Sequence, residues 1–197
     1  MSRIEFWFSI GSTYSYLTVM RLDAYATLQG LEIVWRPFNV REIMIEQNNI
    51  PFANKPVKSA YMWRDIERRA TRYGLPIKVP APYPLEQLPL ANQIAILGME
   101  EDWGRRYVME TYRLWFQEGL PAGEDPNLSR SLEAVGQDPE DVLARAQTSE
   151  MEAALAAATD EARQAGIFGA PSFIVDGELF WGDDRVHDAL AWARRAK

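Results

Sequence analysis

The stretch Ile4-Glu5-Phe6-Trp7-Phe8, followed by Ser9-Ile10-Gly11-Ser12-Thr13-Tyr14-Ser15, decides the fold of this chain. The first run is apolar and aromatic and predicts a buried strand. The second predicts a tight turn, and the periodic apolar residues from Tyr16 onward predict a helix that begins near Ser12. A hydroxyl at that point lies among backbone N–H groups without helical partners, at the positive end of the helix dipole, where an anion is favoured. Ser12 is therefore the first candidate for a functional residue.

The next elements extend this beginning into a β-α-β unit. The predicted helix covers 12–29 and ends at Gly30, a residue typical of helix C-termini. The alternating run Leu31–Arg36 predicts a second strand, which Pro37 closes. Because the two strands are joined through a helix, we expect them to be parallel, with a right-handed crossover.

The middle of the chain is predicted to be helical, and strands return only at its end. Helical patterns lie at 41–47, 59–73, 90–98, 102–119, 127–135, 139–147 and 149–166. The runs 172–175 and 178–181 flank Asp176-Gly177, a pair typical of a type I′ hairpin turn, and a last helix is predicted at 184–195. This order predicts an α/β protein with a thioredoxin-like βαβ…ββα core. The core would comprise 1–40 plus 166–197, and a large all-helical insertion would comprise 41–165, together one compact domain.

The composition limits the possible partners of the protein. The chain has 197 residues, a normal hydrophobic content of 47% and a formal net charge of −7, with a pI of about 4.9. This charge argues against nonspecific binding to nucleic acid and against binding to an anionic membrane surface. A small anionic substrate stays possible, because a local basic pocket can exist on an acidic protein.

The residues that are missing exclude several kinds of chemistry. The chain contains no cysteine, so disulfides, thiolate metal sites and cysteine nucleophiles are excluded. Its single histidine, His187, lies in a polar helix and is expected at the surface, so neither a Ser-His-Asp triad nor a multi-histidine metal site is expected. No run reaches about 18 apolar residues and no secretory signal is visible, so we expect a cytoplasmic protein without a membrane span.

The Ala170-Pro171 step stands directly before the predicted hairpin, an unusual place for proline because proline cannot donate a ladder hydrogen bond. One solution is a cis peptide bond, which would turn the backbone groups of Ala170 away from the sheet and leave them free to pair with an extended ligand. The other is a trans proline at the first residue of an edge strand. The residues alone slightly favour the trans form.

Four motifs occur together in a pattern that resembles one known family. They are Ser12-Thr13-Tyr14-Ser15-Tyr16, Asn54-Lys55-Pro56, Phe168-Gly169-Ala170-Pro171-Ser172-Phe173 and the run Asp176-Gly177-Glu178-Leu179-Phe180-Trp181-Gly182-Asp183-Asp184-Arg185. Together they resemble the 2-hydroxychromene-2-carboxylate isomerases and their relatives, the kappa-class glutathione transferases. Both belong to the DsbA-like branch of the thioredoxin superfamily. The resemblance covers essentially the whole chain.

The resemblance implies glutathione as the cofactor and a catalytic serine at its sulfur, which by motif position is Ser12. Thioredoxin-fold disulfide oxidoreductases carry a cysteine of low pKa at this place, whereas here the sulfur must arrive with a ligand. The family usually has Ser-Pro-Tyr-Ser where this chain has Thr13 in place of proline, and Ser15 is the competing hydroxyl. The family pattern also implies glutathione contacts at Ala170, Pro171, Gly182, Asp183 and Asp184. The aspartates would receive the γ-glutamyl ammonium group.

A second pocket for a small aromatic carboxylate is also implied by the resemblance. Its matching residues are Asn54, Lys55, Lys58 and Tyr83. The isomerases place a lysine shortly after the second strand, where this chain has Met44, and Arg41 lies one helical turn earlier as a substitute.

The resemblance leads to three functional hypotheses. The first is an isomerase that uses glutathione to interconvert 2-hydroxychromene-2-carboxylate and trans-o-hydroxybenzylidenepyruvate in the degradation of bicyclic aromatics. The second is a kappa-like glutathione transferase or peroxidase, which the departure at Met44 slightly favours. The third is a noncatalytic thioredoxin-fold binding protein. A homodimer is compatible with the resemblance, because the relatives are often dimers.

Overall fold

A computed structural model describes residues 3–50, 52 and 54–195 of the chain. The β-α-β unit consists of β1 (Arg3–Phe8), α1 (Ser15–Val19), α2 (Leu22–Gln29) and β2 (Glu32–Pro37). The chain ends with β3 (Ser172–Val175), β4 (Glu178–Trp181), a 3-10 turn (Asp183–Arg185) and α10 (Val186–Arg195). Between them lie α3 (Val40–Glu46), α4 (Pro56–Tyr73), α5 (Leu88–Glu100), α6 (Gly104–Arg113), a π-helix (Leu114–Glu118), α7 (Asn127–Glu133), α8 (Pro139–Ala146) and α9 (Ser149–Gln164).

The four strands form one mixed sheet in the order β2-β1-β3-β4. Strands β1 and β2 are parallel, whereas β3 pairs antiparallel with both β1 and β4. Asp176 and Gly177 both have positive φ, 50° and 83°, as a type I′ turn requires. The predicted α/β class and thioredoxin-like strand order are therefore confirmed.

An aromatic row explains why the run at residues 4–8 becomes the central strand. Phe6 lies opposite Trp35 on β2 and opposite Phe173 on β3. Its ring meets Trp35 edge-on at 4.9 Å between centroids and stacks on Phe173 at 5.4 Å. Cross-strand aromatic pairs of this kind add to the free energy of burial and set the register. Trp7 points to the opposite face and packs with Phe38, so β1 is buried on both sides.

The predicted helix at 12–29 is instead two short helices. The regular α-helix begins at Ser15, three residues later than predicted, after a turn in which the Tyr16 and Leu17 N–H groups bond to Thr13 and Tyr14 carbonyls. It stops after Val19 because the Arg21 side chain reaches back and donates from Nε to the Leu17 carbonyl at 2.7 Å. That contact occupies an acceptor that a continuing helix would use. The interruption turns Arg21 toward the C-terminal part of the chain.

No helix in the described part of the chain is long and apolar enough to span a membrane. Among the same residues, no group of three or more His, Cys, Asp or Glu side chains is placed to hold a metal ion. His187 is exposed on α10, as predicted, with its ring 5.0 Å from that of Tyr25.

Candidate active site

The turn between β1 and α1 presents the Ser12 hydroxyl. The Ser12 N–H donates to the Ser9 carbonyl at 2.9 Å, and the Ser12 hydroxyl donates to the Ala170 carbonyl at 2.7 Å. Because α1 contains five residues and begins at Ser15, its dipole is smaller and more distant than the sequence predicts. The contribution of the helix dipole to binding an anion at Ser12 is therefore smaller than predicted.

Gly11 allows this turn to form. Its φ is +137°, a conformation that other residues rarely adopt, and a Cβ atom there would lie 2.3 Å from Cδ1 of Leu88. The backbone conformation is the main requirement for glycine here, and the Leu88 side chain of α5 packs directly against it.

The peptide bond between Ala170 and Pro171 is cis, so the trans alternative, which the residues alone slightly favoured, is wrong. Pro171 is buried, and its carbonyl accepts a hydrogen bond from the Gly182 N–H at 2.9 Å. Beside it, the Trp181 indole lies directly on Gly169, where an added Cβ would be 2.4 Å from Nε1. The indole, the ring of Phe168 and Ala170 together form one wall of the cavity described next.

A cavity of about 510 Å³ opens beside Ser12. Its volume is in the range typical of small-molecule sites. The walls come from the Ser12 turn, α3, the beginning of α4, the loop around Tyr83 and the Ala170 corner. Five of the predicted site residues line this cavity: Ser12, Arg41, Lys58, Tyr83 and Ala170. Among the described residues, the cavity lining does not include Asn54, Lys55, Pro171, Gly182, Asp183 or Asp184.

The charged side chains of the described lining are two cations, Arg41 and Lys58, and no carboxylate. The Arg41 guanidinium is half-buried and donates to the Leu85 carbonyl at 2.7 Å. The Lys58 ammonium is more exposed and lies 5.7 Å from the centre of the Phe52 ring. Within the described residues, neither cation has a carboxylate partner within 4 Å. An acidic protein thus carries a cavity with a local positive charge.

Tyr83 lies on the proline-rich loop and completes the aromatic part of the cavity. Its ring meets Trp63 and Phe52 edge-on, at 6.1 Å and 6.2 Å between centroids. Burial raises the pKa of its hydroxyl, and the nearby positive charge of Arg41 lowers the pKa by a smaller amount. The hydroxyl is therefore neutral at physiological pH and can serve as a hydrogen-bond donor.

Asn54 and Lys55 lie in the exposed turn that precedes α4. Asn54 has a φ of 55°, and the Lys55 ammonium donates to the Ile50 carbonyl at 3.2 Å. Their contact with a substrate stays a prediction.

Asp183 has a different environment from the one predicted. Its side chain is fully buried, and its two oxygens accept hydrogen bonds from Arg21 at 2.6 Å and Arg69 at 2.7 Å. The Thr18 hydroxyl donates a further bond at 2.9 Å. Because its carboxylate is buried and already has these partners, it is not available to receive a ligand ammonium group. The side chain instead joins α1, the junction between α1 and α2, and α4 to the C-terminal part of the chain. Burial of Arg69 is the largest single effect on its pKa and lowers it, but the charge of Asp183, a hydrogen bond with Tyr73 and the charge of Asp184 together raise the pKa above its usual value.

Asp184 differs from its neighbour in being exposed. One of its oxygens lies 3.3 Å from Arg185, and the other lies against the Cα of Gly182, where an added Cβ would be 2.5 Å from it. Of the two predicted aspartates, it is the one whose carboxylate is accessible to a ligand.

The whole architecture agrees with one family. The family model described as the DSBA-like thioredoxin domain matches residues 3–191. The chain belongs to this family.

Two relatives and one solved structure show which known proteins this DSBA-like domain resembles. It is 29% identical to a 2-hydroxychromene-2-carboxylate isomerase of Sphingobium xenophagum over 185 residues, covering 93% of each chain. It is 28% identical to glutathione S-transferase kappa 1 of Caenorhabditis elegans, covering 95% of this chain and 88% of the relative. A solved 2-hydroxychromene-2-carboxylate isomerase superposes with a TM-score of 0.87 at 24% identity, covering 98% and 95% of the two chains. The resemblance read from the motifs is confirmed.

Three buried side chains that hold the Ser12 turn in this DSBA-like domain were missed by the sequence analysis. Asn92 on α5 forms hydrogen bonds with the backbone of Ile10, and the Tyr112 hydroxyl on α6 lies within hydrogen-bond distance of the Ser9 and Ser12 carbonyls. The Met62 sulfur on α4 accepts a hydrogen bond from the Thr13 hydroxyl at 3.1 Å. A polar Asn92 inside the apolar run of α5 was the one available signal, since buried polar groups are normally hydrogen-bonded.

Proposed function

We propose that this protein is a glutathione-dependent isomerase of the 2-hydroxychromene-2-carboxylate type. The reaction would interconvert the chromene carboxylate and trans-o-hydroxybenzylidenepyruvate. The observation that carries the proposal is the hydrogen bond between Ser12 and Ala170 at the wall of a largely apolar cavity. The charged residues among the described residues that line this cavity are Arg41 and Lys58. The similarity to isomerases along nearly the whole chain supports it.

Glutathione would supply the nucleophilic sulfur that a chain without cysteine lacks. Ser12 and Ala170 are suited to bind the central cysteinyl unit of glutathione. Ser12 and Ala170 are already joined by a neutral hydrogen bond, and both face the cavity. When a thiolate is present, the Ser12 hydroxyl can donate to it instead, and the Ala170 carbonyl becomes free to accept a peptide N–H.

This exchange favours the anionic form of the thiol. A hydrogen bond to a charged acceptor contributes about 1.5–3 kcal/mol, against about 0.5–1.5 kcal/mol for a neutral one. One pKa unit corresponds to about 1.4 kcal/mol. Because the Ala170 carbonyl accepts a peptide N–H in return, the neutral bond is replaced rather than lost, and the charge-assisted bond lowers the pKa of a bound thiol by about one to two units.

Fewer residues are available to bind the γ-glutamyl end of glutathione than the sequence predicts. The buried carboxylate of Asp183 is unavailable, which leaves Asp184 and the backbone at Gly182 for the γ-glutamyl group. We propose contacts for glutathione at Ser12, Ala170, Pro171, Gly182 and Asp184, with Asp183 holding this segment in place.

The organic substrate would occupy the apolar part of the cavity. Its aromatic walls suit a planar ring system, and Arg41 suits a carboxylate, because its guanidinium keeps donors in addition to the one bound by Leu85. Lys58 provides a second positive charge near the opening, and the neutral Tyr83 hydroxyl provides a donor. Asn54 and Lys55 would contact the substrate only from the rim.

Two measurements test the proposal. In a thermal-shift titration, glutathione at about 100 times its dissociation constant should stabilise the protein by about 2.7 kcal/mol. In a steady-state assay with 2-hydroxychromene-2-carboxylate, isomerisation should require glutathione without consuming it. The absence of any shift at millimolar glutathione would contradict the proposal and favour a noncatalytic binding protein.

A second candidate is a kappa-like glutathione transferase or peroxidase. The observation that favours it is Met44, an apolar side chain in the cavity lining where the isomerases have a lysine. The sequence identity to the kappa 1 enzyme of C. elegans, 28%, is close to the 29% shared with the isomerase of S. xenophagum. Net consumption of glutathione in the same steady-state assay, with an electrophile or peroxide as the second substrate, would identify this activity.

A further inference from the structure

The Ser12 turn is held by side chains from the helical part of the chain. Asn92 on α5 is fully buried and binds both backbone groups of Ile10. The Ile10 N–H donates to Asn92 Oδ1 at 2.9 Å, and Asn92 Nδ2 donates to the Ile10 carbonyl at 3.0 Å and to the Leu88 carbonyl at 2.8 Å. The contact to Leu88 fixes the amide to its own helix, so the turn follows the position of α5.

Tyr112 on α6 holds the two ends of the same turn. Its hydroxyl oxygen lies 2.8 Å from the Ser9 carbonyl oxygen and 3.1 Å from the Ser12 carbonyl oxygen. The side chain is fully buried, and burial raises the pKa of its hydroxyl well above the usual value. The hydroxyl therefore stays protonated and remains a donor across the physiological pH range.

α5 also restricts the turn between these two contacts. Leu88 lies against Gly11, where even one added carbon would overlap with its side chain. The residue just before Ser12 thus has little space in which to move. The backbone on both sides of the Ser12 hydroxyl is set by α5 and α6.

We propose that Asn92 and Tyr112 are positioning residues that place the Ser12 hydroxyl for hydrogen bonding to the glutathione thiolate. The inference rests on the proposed function. Misplacement of a reacting group by about 1 Å can cost about a hundredfold in rate, so loss of one contact is expected to act on catalysis as well as on stability. The two side chains touch the turn and need not touch either substrate.

Tyr112→Phe tests the proposal, with Tyr107→Phe as its matched control. Both tyrosines are fully buried on α6, but the Tyr107 hydroxyl makes no hydrogen bond to the turn. The readouts are kcat, KM for glutathione and the pKa of the bound thiol. The pKa is measured from the ultraviolet absorbance of the thiolate as a function of pH. Tyr112→Phe should raise the thiol pKa toward that of free glutathione and lower kcat about tenfold, with KM changed less than twofold. Tyr107→Phe should leave all three values unchanged.

A second pair of variants tests the contact from α5. Asn92→Asp keeps the size of the side chain and its acceptor but removes the donors to Ile10 and Leu88. Asn127→Asp removes donors to Thr111 and Leu120 from an equally buried amide that does not contact the turn. Only Asn92→Asp should shift the thiol pKa and kcat.

The outcomes separate this inference from the function on which it rests. If wild-type protein binds glutathione with a lowered thiol pKa and Tyr112→Phe leaves that pKa and kcat unchanged, the positioning role is refuted. Equal losses of kcat in Tyr112→Phe and Tyr107→Phe would refute it too, because they indicate a merely structural effect. If wild-type protein does not lower the thiol pKa, the proposed function itself fails.

Discussion

The Ser12 hydroxyl donates a hydrogen bond of 2.7 Å to the carbonyl oxygen of Ala170, 158 residues further along the chain. The bond joins the turn after β1 to the segment that precedes β3, which are neighbours because β1 and β3 pair in the sheet. It also joins two groups that a cysteinyl peptide could use, one as donor to its sulfur and one as acceptor for its N–H. In this account, ligand binding exchanges one neutral hydrogen bond for two new ones, of which one is charge-assisted.

Ser12→Ala should lower the turnover of the glutathione-dependent reaction about tenfold to a hundredfold, because a donor to the thiolate is lost. Ser131→Ala is the control, since Ser131 is fully buried, donates to the Leu128 carbonyl on its own helix and does not line the cavity. Steady-state kinetics at saturating glutathione measures both variants. Equal turnover for wild-type protein and Ser12→Ala would remove the serine from the mechanism.

Arg41→Met should raise KM for an aromatic carboxylate about tenfold, because the guanidinium is the half-buried cation of the cavity. The affinity for glutathione should change little. Arg64→Met removes an exposed arginine that pairs with Glu67 outside the cavity and serves as the control. If the two variants raise KM equally, the substrate carboxylate is bound elsewhere.

Asp183→Asn should destabilise the fold by about 3–5 kcal/mol, because two arginines lose the counter-charge of a fully buried carboxylate. Asp184→Asn removes an exposed carboxylate and should change stability by less than about 0.5 kcal/mol. Urea unfolding measures both. In a glutathione titration, Asp184→Asn should instead weaken binding, and unchanged binding would argue against its contact with the γ-glutamyl group.

Stability should fall at alkaline pH. Burial is the largest cause of the raised pKa values of Tyr14, Tyr107 and Tyr112. Above about pH 10 the unfolded chain releases the phenolic protons while the folded chain keeps them, so the free energy of unfolding decreases as pH rises. Each such tyrosine contributes a slope of about 1.4 kcal/mol per pH unit.

Urea unfolding at several pH values between neutral and strongly alkaline checks this dependence. Tyr107→Phe should reduce the slope by the share of one tyrosine. A free energy of unfolding that stays constant through pH 10 and above would show that these hydroxyls ionise equally in both states.

The sheet could be predicted because its information is local. The run around Phe6, the alternation at 31–36 and the pair Asp176-Gly177 each specify a strand or a turn from adjacent residues. The interruption at Arg21 could not be predicted in the same way. It depends on a side chain that bonds back to Leu17 and forward to Asp183, which is 162 residues away.

The candidate site was predictable to the extent that motifs carried it. The motifs predicted Ser12 and Ala170 as site residues, and the structure places them in hydrogen-bond contact, while their roles toward a ligand stay predictions. The burial of Asp183 could not be predicted. Asp183 and Asp184 are adjacent at the end of a strand, and the local sequence does not show which of them faces solvent and which faces two arginines. Asn92 and Tyr112 were missed because their partners in the turn lie 82 and 100 residues away.

The pKa of the glutathione thiol bound to wild-type protein and to Ser12→Ala tests the central claim most directly. The thiolate absorbance is followed as a function of pH at saturating glutathione. We predict that wild-type protein lowers the thiol pKa by about one to two units from its ordinary value near 8.5, and that Ser12→Ala returns it most of the way. A bound thiol that titrates like free glutathione in wild-type protein would contradict the account.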